Sequence, residues 1–100
     1  MFHVLWEYRV AEDRREQFER LYAPDGDWAR LFQQSSDFLS TTLLHDAAVP
    51  SRYLTIDRWQ DAGSYNRFLE EHALQYGELD RQGESLTEYE LKVGTFESVS

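Results

Sequence analysis

An α+β domain on an antiparallel sheet is the fold class this chain predicts. Three observations lead there: a length of 100 residues, which is one domain's worth of chain; runs in which bulky and polar residues alternate with period two; and charge-rich stretches of helical period set between those runs.

The elements follow in order. From Phe2 to Val10 the residues alternate, with Phe2, Val4, Trp6, Tyr8 and Val10 on one side and His3, Leu5, Glu7 and Arg9 on the other, which is a strand. Ala11 to Tyr22 is charge-rich, with Phe18, Leu21 and Tyr22 at helical spacing. Pro24-Asp25-Gly26-Asp27 breaks it and offers Asp27 as the N-cap of a second short helix through Trp28, Leu31 and Phe32. Phe38 to His45 and Arg52 to Trp59 are Thr- and aromatic-bearing strands, and the stretch from Asp46 to Ser51 between them suits a hairpin loop. Asp61 caps the next helix, whose apolar face runs through Tyr65, Phe68, Leu69, His72, Tyr76 and Leu79 until Gly77 or Gly83 weakens it. Thr87 to Val99 reads as a last, long strand bent near Gly94. Strand, helix, strand, strand, helix, strand is the βαββαβ order of ferredoxin-like domains, with both helical regions on one face of the sheet.

Composition excludes several partners. Ten Lys+Arg against 19 Asp+Glu give a net charge of −9, which opposes binding to polyanions, so neither nucleic acid nor an anionic membrane is expected as a partner. No apolar run approaches the length of a membrane span and the N-terminus lacks a signal-peptide pattern, so the expected location is cytoplasmic. With no cysteine there is neither disulfide nor thiolate, and packing alone must hold a domain that buries only about two thirds of its unfolded surface. Association would help. Whichever face of the sheet turns from the helices, it presents bulky groups: Leu5 or its five large neighbours in the first strand, and Leu54 and Ile56 or Tyr53 and Trp59 in the third. A homodimer packed sheet to sheet is therefore expected, the last strand reaching across.

The chemistry-bearing residues are few. The five glycines form neither a dinucleotide fingerprint nor a phosphate loop, and His3, His45 and His72 lack metal-ligand spacing, so no cofactor and no metal are expected. Trp6, Tyr8, Trp59, Tyr65, Phe68, His72 and Tyr76 are candidates for the wall of an aromatic space between sheet and helices, with ordinary core packing as the alternative for each. On an apolar helical stripe, His72 is either a proton acceptor near neutral pH or a satisfied structural histidine. Asp57 shares a strand face with Thr55 and Trp59. If Trp59 points inward so does this carboxyl, and burial would raise its pKa unless Arg58, Arg67 or Arg81 reached it.

The residues YLTIDRW followed by QDAGSYNRFLEEHALQY, set after the strand FHVLWEYRV, resemble the antibiotic biosynthesis monooxygenase family of dimeric α+β barrel proteins. The resemblance spans residues 1–100 as a single domain. It implies a homodimer with back-to-back sheets and a pocket in each subunit for a small aromatic ligand. Several family members are oxygenases that use no metal, flavin or haem and act on phenolic or hydroquinone-type molecules. Others degrade haem or have no known activity. By this likeness Trp59 matches the pocket tryptophan of the cofactor-free oxygenases and Tyr65 their pocket tyrosine. Thr55 stands where they carry an asparagine. Their arginine falls near Leu79, and Arg81 replaces it only with a two-residue shift. The haem-degrading branch's asparagine, tryptophan and histidine align with Tyr8, Phe68 and Glu78. The implied function is a cofactor-independent monooxygenase in which His72 or Asp57 is the base. Tyr65 and Trp59 orient the ring, Trp6, Tyr8, Thr55, Phe68 and Tyr76 line the substrate site, and Arg81 or Arg58 steadies negative charge. The competing reading is a non-catalytic dimer of the same fold that binds a small ligand or serves as an accessory protein; a haem-binding relative is a third.

Overall fold

The computed structural model describes residues 1–99. Strand β1 (Phe2–Arg9) leads through a 3-10 turn, Glu12–Arg14, into α1 (Arg15–Tyr22) and α2 (Asp27–Phe32). The hairpin strands β2 (Phe38–His45) and β3 (Arg52–Trp59) follow. Then come α3 (Ala62–Glu71), α4 (Ala73–Glu84) and the closing strand β4 (Tyr89–Glu97). The four strands form one antiparallel sheet in the order β2-β3-β1-β4. This is the ferredoxin-like α+β arrangement.

Alternation decides the inner face. Phe2, Val4 and Tyr8 of β1 and Tyr53, Thr55, Asp57 and Trp59 of β3 are buried, and aromatic side chains from the helices close over them. Phe18 of α1 meets Tyr8 and Tyr53 at ring-centroid distances of 5.2 and 4.8 Å, and Phe32 of α2 and Phe68 of α3 meet Trp59 at 5.4 and 5.2 Å. Each such ring removes a large apolar area from water and gains a further ~0.5–1.5 kcal/mol from tilted or edge-on geometry.

Two helix boundaries depart from the periodicity and one keeps to it. The second short helix is capped by the backbone of Gly26 rather than by Asp27, which instead bonds Arg30 at 2.7 Å. A β-carbon at residue 26 would overlap the carbonyl oxygens of Arg20 and Leu21, so the chain turns tightest at its smallest residue. Asp61 does cap α3, its carboxylate accepting from the Ser64 amide at 2.7 Å while the Ser64 hydroxyl and the Asp61 backbone close the capping box. The helix that follows is broken at His72 (φ −120°, ψ 29°), not at Gly77, and Gly83 lies in the last turn of α4.

The last strand is Tyr89–Glu97, shorter at both ends than its alternation suggests. Its pairing with β1 shifts between Leu5 and Trp6, beside Gly94, whose φ of +156° suits only glycine. The face turned from the helices carries Leu5, Leu54 and Ile56, with Leu44, Leu91 and Phe96 exposed on the flanking strands. Arg52 bridges Glu7 and Asp46 at the end of this face, at 3.1 and 3.0 Å.

Candidate functional site

The inner face of the sheet does not close completely. Between Tyr8, Thr55, Asp57 and Thr41 below and Tyr22, Trp28, Phe32 and Tyr76 above lies a cavity of about 30 Å³. Trp6, Asp80 and Glu90 complete its lining, and the last two are only half-buried. Two short elements build the roof. Helix α2 brings Trp28 and Phe32 over the sheet on one side, Trp28 lying 5.6 Å from Phe32. The turn at His72 sets α4 so that Tyr76 meets Trp28 edge-on at 4.9 Å. Asp80 follows Tyr76 by one helical turn and faces the same space.

Asp57 is the principal ionisable group of the floor. It is 9% exposed, and the Thr41 hydroxyl on the neighbouring strand donates to its Oδ1 at 2.7 Å. Burial pushes its carboxyl up to about 6, against the opposing pull of the Thr41 bond and the Arg58 charge. Arg58 follows it in sequence and therefore emerges on the opposite face, where it donates to Thr42 at 2.8 Å. Arg67 lies 3.6 Å from Asp37 and Arg81 is exposed on α4, and among the described residues no ion pair reaches the carboxyl. Burial likewise holds the Tyr8, Tyr22 and Tyr76 hydroxyls above the usual phenol range, so all three remain hydrogen-bond donors at neutral pH. Thr55 Oγ1 and Trp28 Nε1 are buried with no hydrogen-bond partner, although Thr55 lies beside the Tyr8 hydroxyl and Trp28 beside that of Tyr22. Each such orphan costs about 1–3 kcal/mol unless something else satisfies it.

The cavity gathers Asp57, Trp6, Tyr8, Thr55 and Tyr76 from the candidates of the sequence. Trp59, Tyr65 and Phe68 do not line it. They form the adjoining core, with Trp59 fully buried among Phe32, Phe38, Tyr65 and Phe68 and Lys92 Nζ 5.7 Å from the Tyr65 ring centroid. His72 stands apart from Asp57. Its ring stacks on Phe68 at 4.4 Å with Nδ1 3.3 Å from the Phe68 carbonyl, and it lines a separate polar groove with Asp37, Arg67 and Glu71. Helical periodicity places His72 on the stripe of Tyr76, but the break in the helix falls at His72 itself and rotates the two apart. Arg81 points to solvent rather than replacing a pocket arginine. Missing from the candidates were Thr41, Tyr22, Trp28, Phe32, Asp80 and Glu90. Only Asp80 had a local signal, its i, i+4 relation to Tyr76.

Among the described residues one acidic group gathers enough ligand atoms to attract a cation: Asp80, Glu84 and Glu90, whose carboxylate oxygens all lie within 4.8 Å of one another at the cavity mouth. Burial and the neighbouring Asp80 and Glu84 charges raise the Glu90 carboxyl above its usual range. Among the described residues no helix is long and apolar enough to cross a membrane.

Comparison with known proteins agrees with this architecture. A mutant form of SnoaB, a cofactor-independent oxygenase from Streptomyces nogalater, superposes with a TM-score of 0.81 at 20% identity, covering 99% of this chain and 93% of that one. A protein from Deinococcus radiodurans described as an antibiotic biosynthesis monooxygenase gives 0.80 at 13% identity over 100% and 94% of the two chains. Another so described, from Bordetella bronchiseptica, gives 0.79 at 16% over 99% and 97%. At these identities the likeness establishes the fold. No curated protein matches the chain. The sequence profile of the antibiotic biosynthesis monooxygenases matches residues 1–76, from β1 through the first turn of α4, and the chain belongs to that family.

Proposed function

We propose that this chain is a cofactor-independent monooxygenase acting on a small phenolic or hydroquinone-type substrate, with Asp57 as the base. The observation that carries the reading is the buried Asp57 carboxyl, pushed up to about 6, on the floor of a cavity walled by aromatic rings. A carboxyl that titrates at about 6 is about nine-tenths ionised at pH 7, and it is a stronger base than an ordinary carboxylate toward an acidic phenol or an activated methylene. The substrate anion then supplies the electrons that reduce oxygen. For an activated methylene the balance closes without an external reductant: the CH₂ becomes a carbonyl, one oxygen atom stays and the other leaves as water. The protein's share is to hold the anion away from solvent and to offer donors to the reduced oxygen, from the hydroxyls of Tyr8, Tyr22 and Tyr76 and from the orphaned Trp28 indole.

A cavity of about 30 Å³ admits only about two water-sized groups, so a substrate ring enters by displacing the half-buried Trp6 or Tyr76 at the mouth. That same tightness favours, as a second reading, a non-catalytic module that binds only a ligand's tip. Oxygen uptake with a panel of hydroquinones and anthrones, in metal-free buffer, separates the two. The oxygenase reading expects turnover that rises through pH 6 and falls about 10²–10⁴-fold in Asp57→Asn. Absence of turnover across the panel refutes it. We propose further that the chain is a homodimer joined through the face bearing Leu5, Leu54, Ile56 and Leu91. Light scattering then gives twice 11.9 kDa, and a mass of 11.9 kDa at micromolar concentration refutes the pairing.

A further inference from the structure

The charges around the cavity all have one sign. Asp57 lies on its floor and Asp80 and Glu90 at its mouth, with Glu84 beside them, and no lysine or arginine contributes to the lining. Lys92, opposite Trp6 in the register, has its Nζ near the Tyr65 ring instead. None of Asp80, Glu84 and Glu90 takes part in an ion pair among the described residues. Carboxylates within 4.8 Å of one another repel, and burial together with the Asp80 and Glu84 charges raises the Glu90 carboxyl above its usual range. The rest of the wall is aromatic, and ring faces attract cations as well. Two polar atoms of the lining, the acceptor Thr55 Oγ1 on a residue 2% exposed and the donor Trp28 Nε1, lie beside tyrosine hydroxyls without a hydrogen bond of their own.

We propose that the site selects a cationic ligand, a phenolic or similar aromatic molecule carrying a protonated amine, and that the ammonium is the part that enters the cavity. An ammonium supplies the positive charge that the lining lacks, for the Asp80, Glu84 and Glu90 trio, and carries an N–H that Thr55 Oγ1 can accept. Size agrees with charge. About 30 Å³ accommodates an ammonium with at most one attached methylene, and the ring follows it only as Trp6 or Tyr76 gives way. A divalent ion is the competing occupant: calcium and magnesium take six or more oxygen ligands, and beyond the three carboxylates of the trio water would have to complete the shell. The overall charge of −9 works in the same direction, concentrating cations near the protein and repelling anions.

The inference rests on the reading of this cavity as the substrate site. Calorimetry without turnover tests it apart from oxygenation. The probes are tyramine, tyrosol and 3-(4-hydroxyphenyl)propionate, which share a phenol ring and carry a positive, neutral or negative tail at pH 7.5. We expect tyramine to bind at least about 10-fold more tightly than tyrosol, and the propionate to bind more weakly than either. Added salt weakens tyramine alone. Glu84→Gln, at an exposed position, and Glu90→Gln each lower tyramine affinity about 3–10-fold and leave tyrosol within about twofold. Equal binding of tyramine and tyrosol overturns the proposal, as does failure of all three to bind. Displacement of tyramine by calcium or magnesium at millimolar concentration, lost in Glu90→Gln, also overturns it by making the trio a metal site. Absence of oxygen uptake alongside an intact cation preference removes the oxygenase reading and leaves this one standing.

Discussion

Replacing Asp57 by asparagine should make the protein more stable, and more so as the pH rises. The substitution keeps the shape of the side chain and an oxygen to accept the Thr41 hydroxyl, and it removes only the charge. Burial raises the carboxyl from 3.8 to about 6. A folded-state pKa above the unfolded one means that the native protein holds the proton more tightly, so stability is greatest below the unfolded value and is lost as pH rises through the folded value. A shift of about 2 units corresponds to about 3 kcal/mol in full. Of this, about 1.4 kcal/mol falls between pH 5 and pH 8, a window that avoids the isoelectric region near 4.6. Glu7, Asp46 and Asp61 act in the opposite sense. Their pKa values are lowered by Arg52, by backbone amides and by Ser64, so their stabilisation is present at neutral pH and fades on acidification. They are unchanged in the variant and cancel in the comparison. The assay is urea unfolding of both proteins at pH 5 and pH 8, at one protein concentration so that any association is held constant. The variant should gain about 1.4 kcal/mol on the wild type between the two pH values with the urea slope unchanged. Parallel pH dependences would refute the claim that Asp57 is buried with a raised pKa.

Two further outcomes follow from the same geometry. Thr41→Val removes the hydroxyl that favours the ionised form, so the Asp57 titration, read by carboxyl NMR, should move above about 6; an unchanged or lower midpoint refutes the role given to that bond. A β-carbon at residue 83 would overlap the Tyr22 hydroxyl, so Gly83→Ala should cost about 1–3 kcal/mol in the wild type and less than about 1 kcal/mol in a Tyr22→Phe background, and equal costs in the two backgrounds would show that the clash is relieved elsewhere.

Strands are legible because alternation is local. Phe38 to His45 and Arg52 to Trp59 stand where their pattern puts them, and Trp59 and Asp57 point the same way because they are two residues apart. The site is less legible because its walls meet across the sheet. Thr41 faces Asp57 and Glu90 faces Tyr8 only through strand register, which is set by the hairpin loop and by the bulge beside Gly94. His72 shows a second limit. A periodic stripe predicts one face only while the helix is straight, and the φ of −120° at that residue turns α4 onto a new course. The aromatic candidates divided for a third reason. Trp59 and Tyr65 have the composition of a pocket wall, but rings from α2 and α3 pack against Trp59 and turn that end of the sheet into core.

Asp57 and Arg58 are consecutive in β3, so one looks into the cavity and the other onto the open side of the sheet. The guanidinium pulls the carboxyl toward ionisation through the thickness of a single strand. Anything that lands on the open side and alters the hydration of Arg58 therefore changes how readily Asp57 releases its proton. By reciprocity, each proton gained or lost at Asp57 changes how well that visitor holds on. A one-strand partition thus ties whatever binds the open face of the sheet to the acidity of the interior.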